Sequence, residues 1–214
     1  MENNIKKNSC MMLAMCFYTP VDLISVLEEQ DLSDYGIECD PHITIFYKKK
    51  SIVPKDYLLE DTKILLEEDY EVFMELLKSN RKFSLMDIFE LDKFENSKND
   101  YLVMKLKSEN EIWKILNILN KGFSNKYDIQ SDFNSYSPHM TLAELKVGTV
   151  NKYINSKKLR NILNLSKIGF EDLIISYGLT GNPRDTEQWS ITKFHAIERH
   201  LRNERTRKET LKGL

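Results

Sequence analysis

Two histidines and two threonines recur in one local frame, Pro41-His42-Ile43-Thr44-Ile45 and Pro138-His139-Met140-Thr141-Leu142. The chain holds four histidines in all, so half of them head a Pro-His-apolar-Thr-apolar segment. In an extended strand residues i and i+2 share a face, which projects His42 with Thr44 and His139 with Thr141. Imidazole, with a free pKa of about 6.5, is the side chain best placed to give and take a proton near neutrality. Two imidazoles on opposite sides of a cleft can divide that work. One accepts a proton from a water or hydroxyl nucleophile, and the other protonates the departing oxygen. Two threonine hydroxyls between them can hydrogen-bond the non-bridging oxygens of a phosphate as its charge grows in the transition state. The scheme requires no metal.

The elements that must carry these residues follow a repeating order. Residues 10–18, Cys-Met-Met-Leu-Ala-Met-Cys-Phe-Tyr, form an apolar run read as a buried strand. Lys6 and Lys7 before it imitate a signal peptide, but the run meets Thr19-Pro20 instead of a small-residue cleavage site. It is also far shorter than the roughly 20 residues that cross a bilayer. Thr19 as N-cap and Pro20 at the first helical position predict a short helix to about residue 30. Residues 31–40 read as a loop around Gly36, and 41–47 as the first histidine strand, closed by Lys48-Lys49-Lys50. Helical spacing of Ile64, Leu65, Val72, Phe73, Leu76 and Leu77 predicts a helix over 57–77.

Two strands, 81–94 and 101–107, follow around the turn-rich 95–100, the second alternating Leu102, Met104 and Leu106 against Val103 and Lys105. A helix over 109–121 is expected to stop at Gly122. A polar loop, 125–137, then leads to the second histidine strand. A helix over 150–163, a strand over 170–179, the turn Gly181-Asn182-Pro183 and a strand over 189–196 complete the series. The two halves therefore imitate each other in element order as well as in motif. Residues 1–197 are expected to form a single domain with intertwined lobes, followed by a charged tail over 198–214 that reads as a solvated helix or frayed end, with a local patch guiding anionic ligands as the alternative.

Composition narrows the function classes. A chain of 214 residues with 41% hydrophobic and 30% charged residues can bury one large core or two modest lobes. A net charge of −2 and a pI near 6.1 give no bulk attraction to polyanions, which disfavours coating of long duplex nucleic acid. A small phosphorylated ligand in a local pocket stays open. Cys10, Cys16 and Cys39 are odd in number and sparse, which fits a reducing, cytoplasmic setting and no disulfide framework. None has an evident histidine partner in a nucleophile motif. His195 and His200 stand five apart with no nearby Cys or acidic cluster at ligand spacing, so no metal site is expected. No cofactor is implied either, because no glycine-rich phosphate loop is present.

The duplicated segments His42-Ile43-Thr44-Ile45 and His139-Met140-Thr141-Leu142 resemble the signature of the two-histidine (2H) phosphoesterase superfamily, to which the 2'-5' RNA ligase-like proteins belong. The resemblance covers roughly residues 11–196. It implies an α+β, bilobal fold in which two antiparallel sheets face each other across a central cleft, with helices outside and an internal pseudo-two-fold repeat. It also implies His42, Thr44, His139 and Thr141 as catalytic residues. Family members cleave 2',3'-cyclic phosphates, 2'-5' linkages or cyclic nucleotides. The lysine- and asparagine-rich, glycine-poor composition looks more like the viral subset that degrades nucleotide alarm signals, which would act in a host cytoplasm.

The expected partner is thus a small nucleotide: a cyclic di- or oligonucleotide, 2'-5' oligoadenylate, or an RNA end. No membrane is involved, and the protein is expected to be a monomer. Its bases would stack on aromatic faces, for which Tyr18, Trp189 and Tyr136 are the candidates beside the ordinary alternative that they only pack. Three functions stay open. One is a metal-independent phosphodiesterase that destroys signalling nucleotides, another an RNA-processing enzyme acting on 2',3'-cyclic phosphate or 2'-5' ends, and the third a non-catalytic nucleotide sponge.

Overall fold

The computed structural model describes residues 7–18, 21–38, 41–49, 53–79, 81–129, 135–179 and 190–193. Nine strands and six helices lie among them: β1 Lys7–Phe17, β2 Leu32–Ile37, β3 His42–Lys48, α1 Lys55–Leu66, α2 Asp69–Lys78, β4 Phe83–Ser84, α3 Leu85–Ile88, β5 Phe89–Glu95, β6 Asp100–Leu106, α4 Glu111–Tyr127, β7 His139–Leu145, α5 Val150–Ile154, α6 Lys157–Leu165, β8 Lys167–Leu179 and β9 Ser190–Lys193. The strands form one antiparallel sheet in the order β4-β8-β1-β3-β7-β6-β5, with β2 added to β7 and β9 to β8. Two separate sheets were expected. The two histidine strands, β3 and β7, are instead neighbours, and they join what would be the two halves.

One row across the middle of the sheet explains its packing. Leu173, Leu13, Ile43, Met140 and Met104 follow one another as cross-strand partners through β8, β1, β3, β7 and β6. All five are fully buried, so this row points into the core. The helices cover that face. Helix α4 buries Ile112, Ile115, Leu116, Leu119 and Phe123, is capped by the Asn110 side chain accepting from Ile112 N at 2.9 Å, and donates from Asn120 Nδ2 to Ile45 O of β3 at 2.7 Å. Asp61 of α1, itself buried, accepts from Lys126 Nζ and from the Tyr127 hydroxyl, both at 2.5 Å, and so fastens α1 to the end of α4.

Several elements differ from the sequence reading for identifiable reasons. No α-helix lies between β1 and β2 among the described residues. Asp22 Oδ1 accepts from Ser25 N at 3.0 Å and Ser25 Oγ donates back to Asp22 O, a local turn that competes with helix propagation, and only Glu29–Asp31 forms a 3-10 turn. The capping pair Thr19-Pro20 lies outside the described residues. The expected loop over 31–40 contains β2, recruited by pairing with β7 at Leu32↔Leu145 and Ile37↔Ala143. The helix over 57–77 is two helices, broken where Glu67 takes a positive φ of 46° that no helical residue adopts. The strand predicted over 81–94 is β4, the short helix α3 and β5, and the helix over 150–163 is α5 and α6, restarted by Ser156 capping Leu159 N at 3.2 Å. The 181–183 turn and the 198–214 tail lie outside the described residues.

Gly122 does not end its helix. It sits within α4, and a Cβ there would lie 2.4 Å from Leu65 Cδ2 of α1, so this glycine permits the two helices to approach. The helix instead ends at Asp128, whose φ is 49°. Gly122→Ala is expected to lower the thermal midpoint. Overpacking of about 1–3 kcal/mol outweighs the roughly 1 kcal/mol helix-propensity gain, and a rise in midpoint would show that Leu65 has room to move.

Candidate active site

The two histidine segments meet at a single cross-strand pair, Ile43 opposite Met140. Continuing that antiparallel register one residue each way sets His42 opposite Thr141 and Thr44 opposite His139. Since Ile43 and Met140 face the core, the four motif side chains project from the opposite face of the sheet, and all four are half-buried. Directly opposed Cβ atoms stand about 5 Å apart and diagonal ones roughly 7–8 Å. The two imidazoles occupy diagonal positions, with a threonine beside each.

The prolines have a positional reason. Each stands just before its strand, where a missing N–H costs no ladder bond. Their carbonyls still pair outward, Pro41 O accepting from Met15 N at 3.1 Å and Pro138 O from Leu106 N at 2.9 Å. Each motif is thereby fixed to the strand on its outer side.

His139 is further constrained. Its Nδ1 lies 2.8 Å from Ser137 O. A carbonyl only accepts, so Nδ1 carries the proton and Nε2 is the basic nitrogen of the neutral ring. The Phe94 ring meets the imidazole edge-on, with centroids 4.7 Å apart and planes at 82°, which limits its rotation. On β6 the residue directly opposite His139 is Lys105. None of Phe94, Lys105 or the Ser137 carbonyl was singled out from the sequence. The alternation that sets Lys105 apart from the core face was visible there, but nothing local signals which strand pairs with β7.

The expected aromatic contacts lie in different places. The Tyr136 hydroxyl donates to Thr44 O at 3.0 Å, tying the approach to the second motif onto the first. Burial holds this phenol well above its usual range, so it stays a neutral donor. Tyr136→Phe is expected to cost about 1 kcal/mol by leaving that carbonyl a partner short, read as a shift in denaturant midpoint. Tyr18 sits at the end of β1. A Cβ on Gly169 would meet its ring at 2.4 Å, and Gly169 faces away from the buried Ile168 and Phe170 beside it, which puts the Tyr18 ring on the motif face of the sheet. Tyr18 stands four positions beyond Ala14, the partner of His42, or about 13 Å along the strand. Lys82 Nζ stands 4.5 Å over its ring. Trp189, His195 and His200 lie outside the described residues, as does Cys39.

Among the described residues no three His, Cys, Asp or Glu side chains gather to hold a metal ion, and no helix is long and apolar enough to cross a membrane. No protein-family model and no curated protein matches the sequence. Among solved structures the fold is similar to that of Kluyveromyces marxianus Usb1, at 12% identity and a TM-score of 0.42, covering 88% of this chain and 97% of that one. The structure of Usb1 with uridine monophosphate gives 0.41 at the same identity and coverage.

Proposed function

We propose that this protein is a metal-independent phosphodiesterase acting on small nucleotides, with His42 and His139 as the acid-base pair and Thr44 and Thr141 holding the non-bridging oxygens. The observation that carries this reading is the Ile43–Met140 register, which turns two distant sequence motifs into one cluster of two imidazoles and two hydroxyls on one sheet face. In the reaction a water oxygen, or a ribose hydroxyl, forms the new bond to phosphorus while its proton passes to the neutral imidazole. The bond to the leaving oxygen breaks, and that oxygen takes a proton from the other, cationic imidazole. The hydroxyls strengthen their hydrogen bonds as charge builds on the non-bridging oxygens. Both proton transfers are supplied by the chain itself.

The substrates this reading favours are cyclic di- or oligonucleotides and 2'-5' linked oligoadenylates, whose hydrolysis silences a nucleotide alarm of host defence. The near-neutral net charge supports a compact ligand over a long RNA. Purified protein in EDTA, incubated with cyclic dinucleotides, cyclic trinucleotides, 2'-5' oligoadenylate and 2',3'-cyclic monophosphates and followed by chromatography, tests it. Cleavage of a cyclic or 2'-5' linked substrate is expected. Preference for 2',3'-cyclic monophosphates would move the assignment to RNA-end processing, and binding without any cleavage would refute the enzyme.

A further inference from the structure

On the motif face one cation stands beside His139, with the carboxylates Glu90 and Asp92 of β5 on its outer side. In β1 the partner of His42 is Ala14 and that of Thr44 is Met12. In β6 the partner of Thr141 is Val103 and that of His139 is Lys105. Leu102, Met104 and Leu106 are buried on the core side, so Lys105 projects with His139 onto the motif face. Of the four residues flanking the motifs there, Lys105 alone carries a fixed charge. Its ammonium lies 3.8 Å from Asp92 Oδ2, with the two side chains 39% and 40% exposed. A separation that long between groups that open is worth little, and the other Asp92 oxygen already accepts from Lys93 N at 2.8 Å. A phosphate entering beside His139 competes readily for this cation.

We infer that Lys105 is a substrate-anchoring residue that holds phosphate charge on the His139 side of the cleft and so fixes which way round the nucleotide lies between the two histidines. This rests on the reading of the motif face as a phosphate site, and it adds a direction to that site. An ammonium on a flexible stem acts as a point charge, so its effect is Coulombic and falls with added salt.

The test uses the full chain and uridine monophosphate as probe, with affinity measured by calorimetry at low and at high salt, beside turnover of the best substrate of the panel. Lys105→Gln is expected to weaken probe binding about tenfold at low salt and to flatten its salt dependence, and Lys105→Arg to restore most of both. Asp92→Asn, which removes the carboxylate paired with Lys105 and leaves Glu90 opposite it, is expected to tighten binding two- to threefold. Thermal midpoints of the variants check folding, and a merely structural lysine would not change the salt dependence. If Lys105→Gln binds the probe as wild type does at both salt concentrations while His42→Ala abolishes turnover, the anchoring role is wrong and the phosphoesterase site stands. If the wild-type protein neither binds the probe nor cleaves any substrate, both are wrong.

Discussion

Replacing either motif histidine with alanine is expected to lower kcat by about 10²–10⁴-fold, the range that one positioned general acid or base supplies. His42→Ala and His139→Ala should each have this effect alone, because the reaction needs a proton taken and a proton given in the same turnover. The double variant should be little worse than either single one, since residues that act as a unit are not additive. Both histidines are half-buried on the motif face and outside the core row, so circular dichroism and thermal midpoint should stay near wild type. EDTA should leave the wild-type rate unchanged. An enzyme retaining most of its rate without His42 would show that the two segments do not share a reaction.

The second large effect is on stability. Ile43 is fully buried at the one cross-strand pair that joins β3 to β7. Ile43→Ala removes three carbons from a site walled by Leu13 and Met140, and is expected to cost about 2–5 kcal/mol. For a chain of this size that lowers the thermal midpoint by on the order of 10 °C, measured by calorimetry. Because the same pair sets the spacing of His42 and His139, catalytic rate should fall as well, even below the melting range. A variant that melts normally would mean that the joint bears little of the core's packing.

The two motif strands were easier to read from the sequence than the frame that holds them. The Pro-His-x-Thr segments were legible because alternation in a strand is local, and the structure puts both on strands with the apolar residue between His and Thr facing the core. The run over 10–18, the β5–β6 hairpin and the apolar stripe of α4 were legible for the same reason. What could not be read depended on partners distant in sequence. β2 is a strand because β7 offers it an edge, and nothing in Leu32–Ile37 alone outweighs Gly36, whose φ is +62°. Gly122 looked like a helix stop, and only the Leu65 side chain from α1 explains why it lies inside one. The meeting of β3 and β7, which turns two sheets into one, is likewise a long-range pairing between segments nearly a hundred residues apart. Lys105 stands opposite His139 through the β6–β7 pairing, and Phe94 reaches it from β5, the next strand out.

The most direct measurement of the central claim is a two-dimensional NMR titration of the imidazole resonances of His42 and His139 with uridine monophosphate. The account predicts that both sets of signals move together along one saturation curve, with a single dissociation constant, because both rings meet one phosphate. A titration in which only one histidine responds, or in which the two follow different curves, would contradict it.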